Sequence, residues 1–349
     1  MAYTTIDNPE LYFQTKLYAG NGSSQSITFD GSENMQPDWI WIKSRTDTRK
    51  HNLYDSVRGT NKRLVSNATS AEDEPDSNAG VNAFNSDGFT VGSETDVNGG
   101  SRNFASWNWL AGGSASSNSN GSFTSSVSAS TTAGFSITAF TGNGSSGTIG
   151  HGLGSVPQML IVKNRADSAH EWKVYHHTLG NNKRMHLNEA SAAGTSNNSW
   201  NATTPTSSVF SVGADGGTNG NGNAMIAYCF AEKKGYSKFG SYTGNGSSDG
   251  PFIYTGFRPA WVLVKAITGT SSWTILDNKR NTSNPMGKGL FPDDTAAEYD
   301  YTNRRDFYSN GFKIRNTSSA ENTSGTVHIY MAFAESPFVN SNGVPTNAR

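Results

Sequence analysis

Three stretches of this chain follow one pattern: PDWIWIK (37–43), PQMLIVK (157–163) and PAWVLVK (259–265). Each begins with proline, continues with aliphatic or aromatic residues, and ends with lysine six positions later. The copies lie 120 and 102 residues apart, whereas the spacing within each copy is constant. A constant local spacing with variable lengths between copies is typical of a duplicated folding unit whose insertions fall in loops.

Two further elements recur in the same order around these stretches. A GNGSS motif precedes each one (20–24, 142–146, 244–248), and an aromatic-rich segment closes each copy (104–109, 224–232, 327–335). The apolar segments are short, rich in β-branched and aromatic residues, and bounded by Gly, Asn, Asp, Ser or Pro. The pattern predicts an all-β protein of three tandem β-sandwich, jelly-roll-like repeats.

The repeat boundaries predict the domain organisation. We assign residues 1–110 to unit 1, 135–238 to unit 2 and 239–349 to unit 3, the last with a polar C-terminal tail. Residues 111–134 are rich in Ser and Gly, which favours a flexible linker with one extra strand. Only a short segment separates units 2 and 3, so we expect these two to be fixed against each other and unit 1 to be set apart.

Composition excludes several classes of protein. Charged residues make up 16% of the chain and the net charge is −1, so the chain lacks the basic footprint of a nucleic-acid-binding protein. No apolar run is long enough to predict membrane insertion, and the N-terminus has no pattern of a secretion signal. The single cysteine, Cys229, is expected to be a small buried residue. No cofactor is predicted.

Both faces of the closing strand are apolar. In 327–335, Ile329, Met331 and Phe333 alternate with Tyr330 and other small or aromatic residues, which predicts a central strand buried on both sides. We therefore expect the units to pack on one another or on neighbouring chains. The chain is expected to form a homo-oligomer, with a trimer as the specific prediction.

The three lysines that end the Pro-to-Lys stretches are the most regular charged positions: Lys43, Lys163 and Lys265. One interpretation is an edge lysine that blocks pairing with another strand. The other is a structural ion pair with Asp55 or Asp277, and contact with a ligand is a third, less favoured interpretation.

No catalytic constellation is found, so the chain is predicted not to be an enzyme and to have no catalytic or metal site. The histidines show no metal-ligand spacing. Asp293 and Asp294, with Glu298 and Asp300, form an acidic loop; calcium binding is one interpretation and a solvated loop is the favoured one.

Exposed aromatic residues are the candidates for contact with a ligand. Trp39, Trp172, Trp261 and Trp273 occupy equivalent strand positions and are predicted to be core. Trp107, Trp109 and Trp200 are the candidate tryptophans for stacking on sugars, and Trp200 is the best of them because it has no counterpart in the other copies. The candidate contact residues are Trp200, Asp293, Asp294, Tyr299 and Tyr301.

Several motifs resemble a family of repeat-containing virion proteins of tailed bacteriophages of marine bacteria and cyanobacteria. They are TTAGFSI (131–137), GLGSVP (152–157), AYCFAE (227–232), GYSKFG (235–240) and IYMAFAESPF (329–338). The resemblance covers nearly the whole chain. It implies a particle component with β-sandwich repeats and no enzymatic activity, and it carries over no binding residues.

The expected function is therefore a non-enzymatic virion structural protein: a tail fibre, a spike or a knob-like surface decoration that also contacts the host surface. Its expected partners are other tail or capsid proteins, with assembly in the host cytoplasm and later release on the particle. The alternative is a receptor-recognition module that binds a host surface glycan. A glycan-cleaving depolymerase is a third hypothesis, which needs a carboxylate pair in one groove.

Overall fold

The computed structural model of the chain describes residues 3–346, and the regular secondary structure of this part is nearly all β, in antiparallel sheets. Unit 1 contains β1 (Phe13–Ala19), β2 (Gln25–Ile27), β3 (Trp39–Ser44), β4 (His51–Asp55), β5 (Leu64–Val65), β6 (Val81–Asn85), β7 (Gly88–Val91) and β8 (Asn103–Trp109). The 111–134 segment contributes β9 (Ser116–Asn118) and β10 (Ser125–Ser130). The predicted all-β fold class is confirmed.

Units 2 and 3 continue the series. Unit 2 contains β11 (Phe135–Thr141), β12 (Gly147–Gly150), β13 (Met159–Asn164), β14 (Lys173–His176), β15 (Lys183–His186), β16 (Gly194–Thr195), β17 (Val209–Val212) and β18 (Ala224–Phe230). Unit 3 contains β19 (Ser237–Thr243), β20 (Phe252–Tyr254), β21 (Phe257–Ala266), β22 (Thr274–Asp277), β23 (Met286–Gly289), β24 (Tyr299–Tyr308), β25 (Gly311–Ile314) and β26 (Val327–Pro337). The helical segments are single turns: α1 (Thr95–Asn98), α2 (Gly216–Asn219) and 3₁₀ turns at Pro9–Leu11, Asp76–Asn78 and His177–Leu179.

Each unit contains the same four-stranded arrangement, which we call its inner sheet. The strand order is β1-β8-β3-β4 in unit 1, β11-β18-β13-β14 in unit 2 and β19-β26-β21-β22 in unit 3. The Pro-to-Lys stretch supplies the third strand of that order and pairs with the last strand of its unit. An outer sheet of two to four strands packs on one face: β2-β7-β6, β12-β17 and β20-β25-β24-β23.

The two faces of each inner sheet belong to different cores, which explains why both are apolar. In β3, Ile40 and Ile42 face the outer sheet of unit 1 and form its private core. Trp39 and Trp41, on the other face, join a core shared by all three units. Because successive side chains of a strand point to opposite faces, a single strand contributes residues to both cores. The predicted burial of β3 and of the closing strands on both faces is confirmed.

The shared core brings the three units around one pseudo-threefold axis. Trp109, Phe230 and Phe333 occupy the same position in the closing strands of units 1, 2 and 3. The ring centroid of Phe333 lies 5.6 Å from that of Trp109 and 6.2 Å from that of Phe230. Each unit thus contacts the other two, and the predicted packing of the units on one another is confirmed.

The expectation that unit 1 is set apart is wrong. Trp39 stacks on Tyr228 of unit 2 at 4.5 Å between ring centroids, and Phe13 stacks on Phe333 of unit 3 at 5.3 Å. Burial of these rings outweighs the entropy that a Ser/Gly-rich connection would retain if it were free. The connection itself is ordered, because Asp38 accepts hydrogen bonds from the backbone N–H groups of Ala111 and Gly113 and β10 pairs with β11.

The GNGSS motif is a turn that the closing part of each unit holds in place. In unit 1, Asn98 is buried; its side chain accepts a hydrogen bond from the backbone N–H of Asn21 and donates to Ser23 O. Asn219 and Asn322 make the same contacts in units 2 and 3. Gly22 adopts a φ of 73°, a left-handed conformation that favours glycine. The motif therefore serves the fold.

Within residues 3–346, no helix has the length and apolar character needed to cross a membrane.

Candidate functional site

The repeated lysines are structural. Lys43, Lys163 and Lys265 are fully buried, so the edge-strand interpretation is wrong. Their ammonium groups donate to backbone carbonyls: Lys163 Nζ lies 2.6 Å from Asn164 O and 3.2 Å from His170 O. The ion-pair interpretation is also wrong, because Asp55 and Asp277 pair with arginines. Each lysine thus binds the carbonyl at the end of its own strand (Ser44, Asn164 or Ala266), together with carbonyls of the loop that follows or, for Lys265, of Ala190 and Ser191 in unit 2.

Burial lowers the pKa of Lys163 from 10.5 to about 8, so the folded state binds fewer protons than the unfolded state between these values. Stability should therefore rise with pH in this window, by up to about 3 kcal/mol for this lysine. In Lys163→Met, we expect a correspondingly smaller rise between pH 7.5 and 10, measured by urea unfolding. Groups common to both proteins cancel in the difference, so parallel pH profiles would contradict the prediction.

Two of the three seams between units carry partly buried ion pairs. At the seam of units 1 and 2, Arg165 contacts Glu72 through two hydrogen bonds of 2.7 and 2.9 Å. At the seam of units 1 and 3, Arg45 binds Glu298 in the same way, with both distances 2.9 Å. Burial alone would raise the pKa of Glu298, but the neighbouring arginines outweigh it and hold the pKa below its usual value.

The third seam, between units 2 and 3, has neutral residues at the same positions. The backbone hydrogen bond that joins Glu72 to Arg165 and Glu298 to Arg45 is made here by Ala193 and Ile267. At this seam Ile267 replaces the arginine and Ala193 replaces the glutamate. Because both members of the pair are replaced together, no charge is left without a partner. Ion pairing at the seams therefore explains the presence of the acidic Glu72 and of an arginine at equivalent positions in units 1 and 2, Arg45 and Arg165.

Trp200 does not lie at the surface, so its assignment as a contact residue is wrong. It is 1% exposed and belongs to the private core of unit 2. Its ring packs edge-on against Tyr175 at 5.7 Å between ring centroids, and Nε1 donates to Lys183 O at 3.0 Å. Trp107 and Trp109 are also fully buried in the shared core. The four repeat-equivalent tryptophans predicted to be core are buried, as is Cys229, which burial keeps protonated by raising its pKa to about 12.

The acidic loop separates its carboxylates. Asp293 accepts a hydrogen bond from the backbone N–H of Trp273, and burial raises the pKa of Asp293 to about 6. Asp294 is exposed, and Glu298 is held by two arginines at the seam. Among the described residues, no group of three or more His, Cys, Asp or Glu side chains is arranged to hold a metal ion.

Tyr299 and Tyr301 lie at the surface and form the wall of a cleft on unit 3. They are 50% and 42% exposed, and their ring centroids are 5.6 Å apart. Phe291 lies behind them at about 6 Å from each ring. The guanidinium of Arg304 lies 3.9 Å from the centroid of the Tyr301 ring. The cleft has a volume of about 350 Å³, and Asp294 and three serines complete its lining.

A cluster of buried charged residues holds Arg304, one of the residues that line the cleft. Glu321 is fully buried and accepts hydrogen bonds from Arg304 Nη1 at 3.1 Å, Arg305 Nη2 at 2.7 Å and Asn316 Nδ2 at 2.8 Å. Burial would raise the pKa of Glu321, but the two arginines hold it below its usual value. Arg304 is therefore fixed in orientation, with one face against the Tyr301 ring.

The cleft is private to unit 3. The seam residues Glu298, Glu72 and Ala193 are equivalent, so the residue after each of them is Tyr299, Asp73 or Gly194. Two copies of the fold do without an aromatic residue at this position. The tyrosines are therefore not required by the architecture, which marks the cleft as a candidate binding site.

A second exposed aromatic group, which the sequence analysis missed, lies on the outer sheet of unit 3. Phe252 and Tyr254 in β20 are 46% and 51% exposed, and the Phe252 ring lies 6.0 Å from that of Tyr308. The signal in the sequence becomes visible once strand pairing aligns the units: buried Ile253 corresponds to Ile27 and Ile149, whose neighbours are Ser, Thr or Gly.

These features define an all-β protein of three two-layered units around a shared core, with exposed aromatic residues on the third unit. The chain belongs to the family described as Domain of unknown function (DUF7483), whose profile matches residues 8–337 and so spans all three units. No curated protein and no solved structure matches the chain.

Proposed function

We propose that this chain is a non-enzymatic structural component of a tailed bacteriophage particle: a tail fibre, a spike or a surface decoration. The observation that carries the proposal is the closure of three β units around one core, which suits a rigid building block. The motifs shared with virion repeat proteins support the same function. Its partners are other tail or capsid proteins, and it is assembled in the host cytoplasm and released on the particle.

The test is to locate the chain on particles of the phage that encodes it. Antibodies against the purified protein should label intact particles in electron micrographs, at the tail or over the head. Labelling confined to unassembled protein in the lysate would overturn the proposal. The homotrimer remains part of the proposal, and light scattering of the purified 37.3 kDa chain measures it.

A specific observation favours a second function, recognition of a host surface glycan. Tyr299 and Tyr301 present exposed rings, the exposed Asp294 lies beside them as a hydrogen-bonding group, and the largely buried Arg304 also lines the cleft. Aromatic faces carry partial negative charge and attract the C–H groups of a sugar ring, while charged side chains bind its hydroxyls. The cleft thus combines the two kinds of contact that carbohydrate recognition uses.

We expect Tyr301→Ala to weaken glycan binding about tenfold or more, because a central aromatic contact contributes most of the affinity of such a site. Binding is measured by calorimetry against neutral oligosaccharides. Val156→Thr, at an exposed apolar position of unit 2, is the matched control and should bind as the wild type does. Equal binding by the Tyr301→Ala and Val156→Thr variants would exclude this cleft as the site.

A further inference from the structure

The outer face of β24 connects the two exposed aromatic groups of unit 3. Arg305 and Phe307 point into the private core of unit 3 or its inner sheet, so Arg304, Asp306 and Tyr308 share the opposite face. Arg304 to Tyr308 spans four residues, or about 13 Å at the rise of a β-strand. Arg304, at one end of this row of side chains, contacts the Tyr301 ring. Tyr308, at the other end, belongs to the second aromatic group.

The second aromatic group is built by three strands. Phe252 pairs with Lys313 and Tyr254 pairs with Gly311, while Gly311 pairs in turn with Tyr308 of β24. The Tyr254 hydroxyl lies 3.2 Å from that of Tyr3, which itself donates to Gly256 O at 2.8 Å. Because the Tyr3 hydroxyl donates its proton to Gly256 O, the Tyr254 hydroxyl donates to the Tyr3 oxygen. This hydrogen bond orients the Tyr254 ring.

Paired charges occupy the space between the two aromatic groups. Arg315 lies 3.3 Å from Asp306, and Lys313 lies 2.6 Å from Asp249. A cleft of about 440 Å³ beside them is lined by Asn284, Asn303, Asp306 and Arg315, among others. The face thus offers many hydrogen-bonding groups, and each charge on it has a partner of opposite sign.

The other two units show that the fold does not require these residues. The positions of Phe252 and Tyr254 are occupied by Ser26 and Thr28 in unit 1 and by Thr148 and Gly150 in unit 2. The position of Tyr308 is occupied by Asn85 in unit 1, since both residues pair with the glycine that follows the hairpin turn. Unit 3 therefore carries large exposed rings where its sister units carry small residues.

We propose that the outer face of unit 3 binds an extended, neutral glycan chain that contacts Tyr301 at one end and Phe252, Tyr254 and Tyr308 at the other. This inference rests on glycan recognition by the cleft and adds the length and charge of its ligand. The distance of about 13 Å along β24 from Arg304, which contacts Tyr301, to Tyr308 of the second group requires several linked sugars rather than a terminal one.

The charges between the rings favour a glycan over a protein partner. A protein interface that covered Asp249, Arg315 and Lys313 would have to remove them from water, and the desolvation of ion pairs is costly. Sugar hydroxyls both donate and accept, so they replace the hydrogen bonds of water at such groups. Because the charges are balanced, the face offers no attraction for an acidic polymer, and the ligand is neutral.

The test compares short and long probes by calorimetry. Cellobiose and cellohexaose, maltose and maltohexaose, and the hexamer of mannuronate are titrated into the full chain and into the double variant Phe252→Ser with Tyr254→Thr. This variant places unit 1 residues in unit 3, so its unfolding midpoint should be unchanged. We expect a neutral hexasaccharide to bind wild type at least tenfold more tightly than its disaccharide, and the double variant to lose that gain.

The outcomes separate the two proposals. Loss of the length dependence in the double variant, with disaccharide binding retained, supports the extended site. If Tyr301→Ala weakens binding while the double variant binds the hexasaccharide as wild type does, the extended site is overturned and the cleft stands. Preference for mannuronate overturns the neutral ligand, and the absence of binding by wild type to every probe overturns both proposals. Tyr308→Asn, copied from unit 1, replaces the double variant if that protein fails to fold.

Discussion

Replacing Asp277 with alanine is expected to lower the free energy of unfolding by about 3–5 kcal/mol. Asp277 is fully buried at the seam of units 1 and 3, where it pairs with Arg280 and accepts the indole N–H of Trp107 at 3.0 Å. Without the carboxylate, the buried Arg280 guanidinium keeps only Glu298 of its two carboxylate partners, and the buried indole N–H of Trp107 loses its acceptor. The midpoint and slope of urea unfolding measure the change.

The same chain provides the control for this variant. His176 occupies the strand position of Asp277 in unit 2, at the neutral seam. Burial lowers the pKa of His176 to about 3, so the ring is uncharged at neutral pH. His176→Ala therefore removes no charge partner and should cost about 1 kcal/mol for each of its two hydrogen bonds, to Tyr330 O and from Thr178 N–H, in addition to lost packing. A loss at Asp277→Ala no larger than at His176→Ala would show that the seam charges contribute little.

The second large effect is expected for Trp39→Ala, which should cost about 3–5 kcal/mol and destabilise all three units together. Trp39 is fully buried, and its ring contacts Trp109 of its own unit and both Tyr228 and Phe230 of unit 2. Because the core is shared, a cavity there weakens every seam. Hydrogen exchange should show reduced protection of backbone amides in β18 and β26 as well as in β3.

Trp200→Ala is the matched control, because Trp200 has the same size and burial but lies in the private core of unit 2. Its effect on hydrogen exchange should be largest within unit 2. If Trp39→Ala instead changed exchange in residues 13–109 only, the units would be independent domains and the shared core would not couple them.

Periodicity predicted the strands and their burial because alternation of side chains is a local property of the backbone. The Trp39 and Ile40 faces of β3 could be recognised as apolar without knowing what covers them. The identity of the two cores was not readable, since it depends on contacts between residues more than a hundred positions apart. For the same reason, composition suggested that unit 1 is set apart, although Trp39 stacks on Tyr228.

Comparison among the copies predicted only part of the candidate site. It selected Tyr299 and Tyr301, which lie at the surface, and also Trp200, which does not. Trp200 fills the private core of unit 2, so a difference between copies reflected packing there. Phe252 and Tyr254 were missed because the stretch resembles an ordinary buried strand until its partners are known.

The amino-acid sequence alone was sufficient for the repeat, the all-β class and the strands with two apolar faces, because spacing and alternation are encoded locally. The closed ring of units, the charged and neutral seams, and the line of exposed rings on unit 3 required the folded chain. Residues such as Arg45 and Glu298 are 253 positions apart, and whether they meet depends on how three sheets pack around one axis. That packing is a collective result of burying the shared core, which no local pattern records.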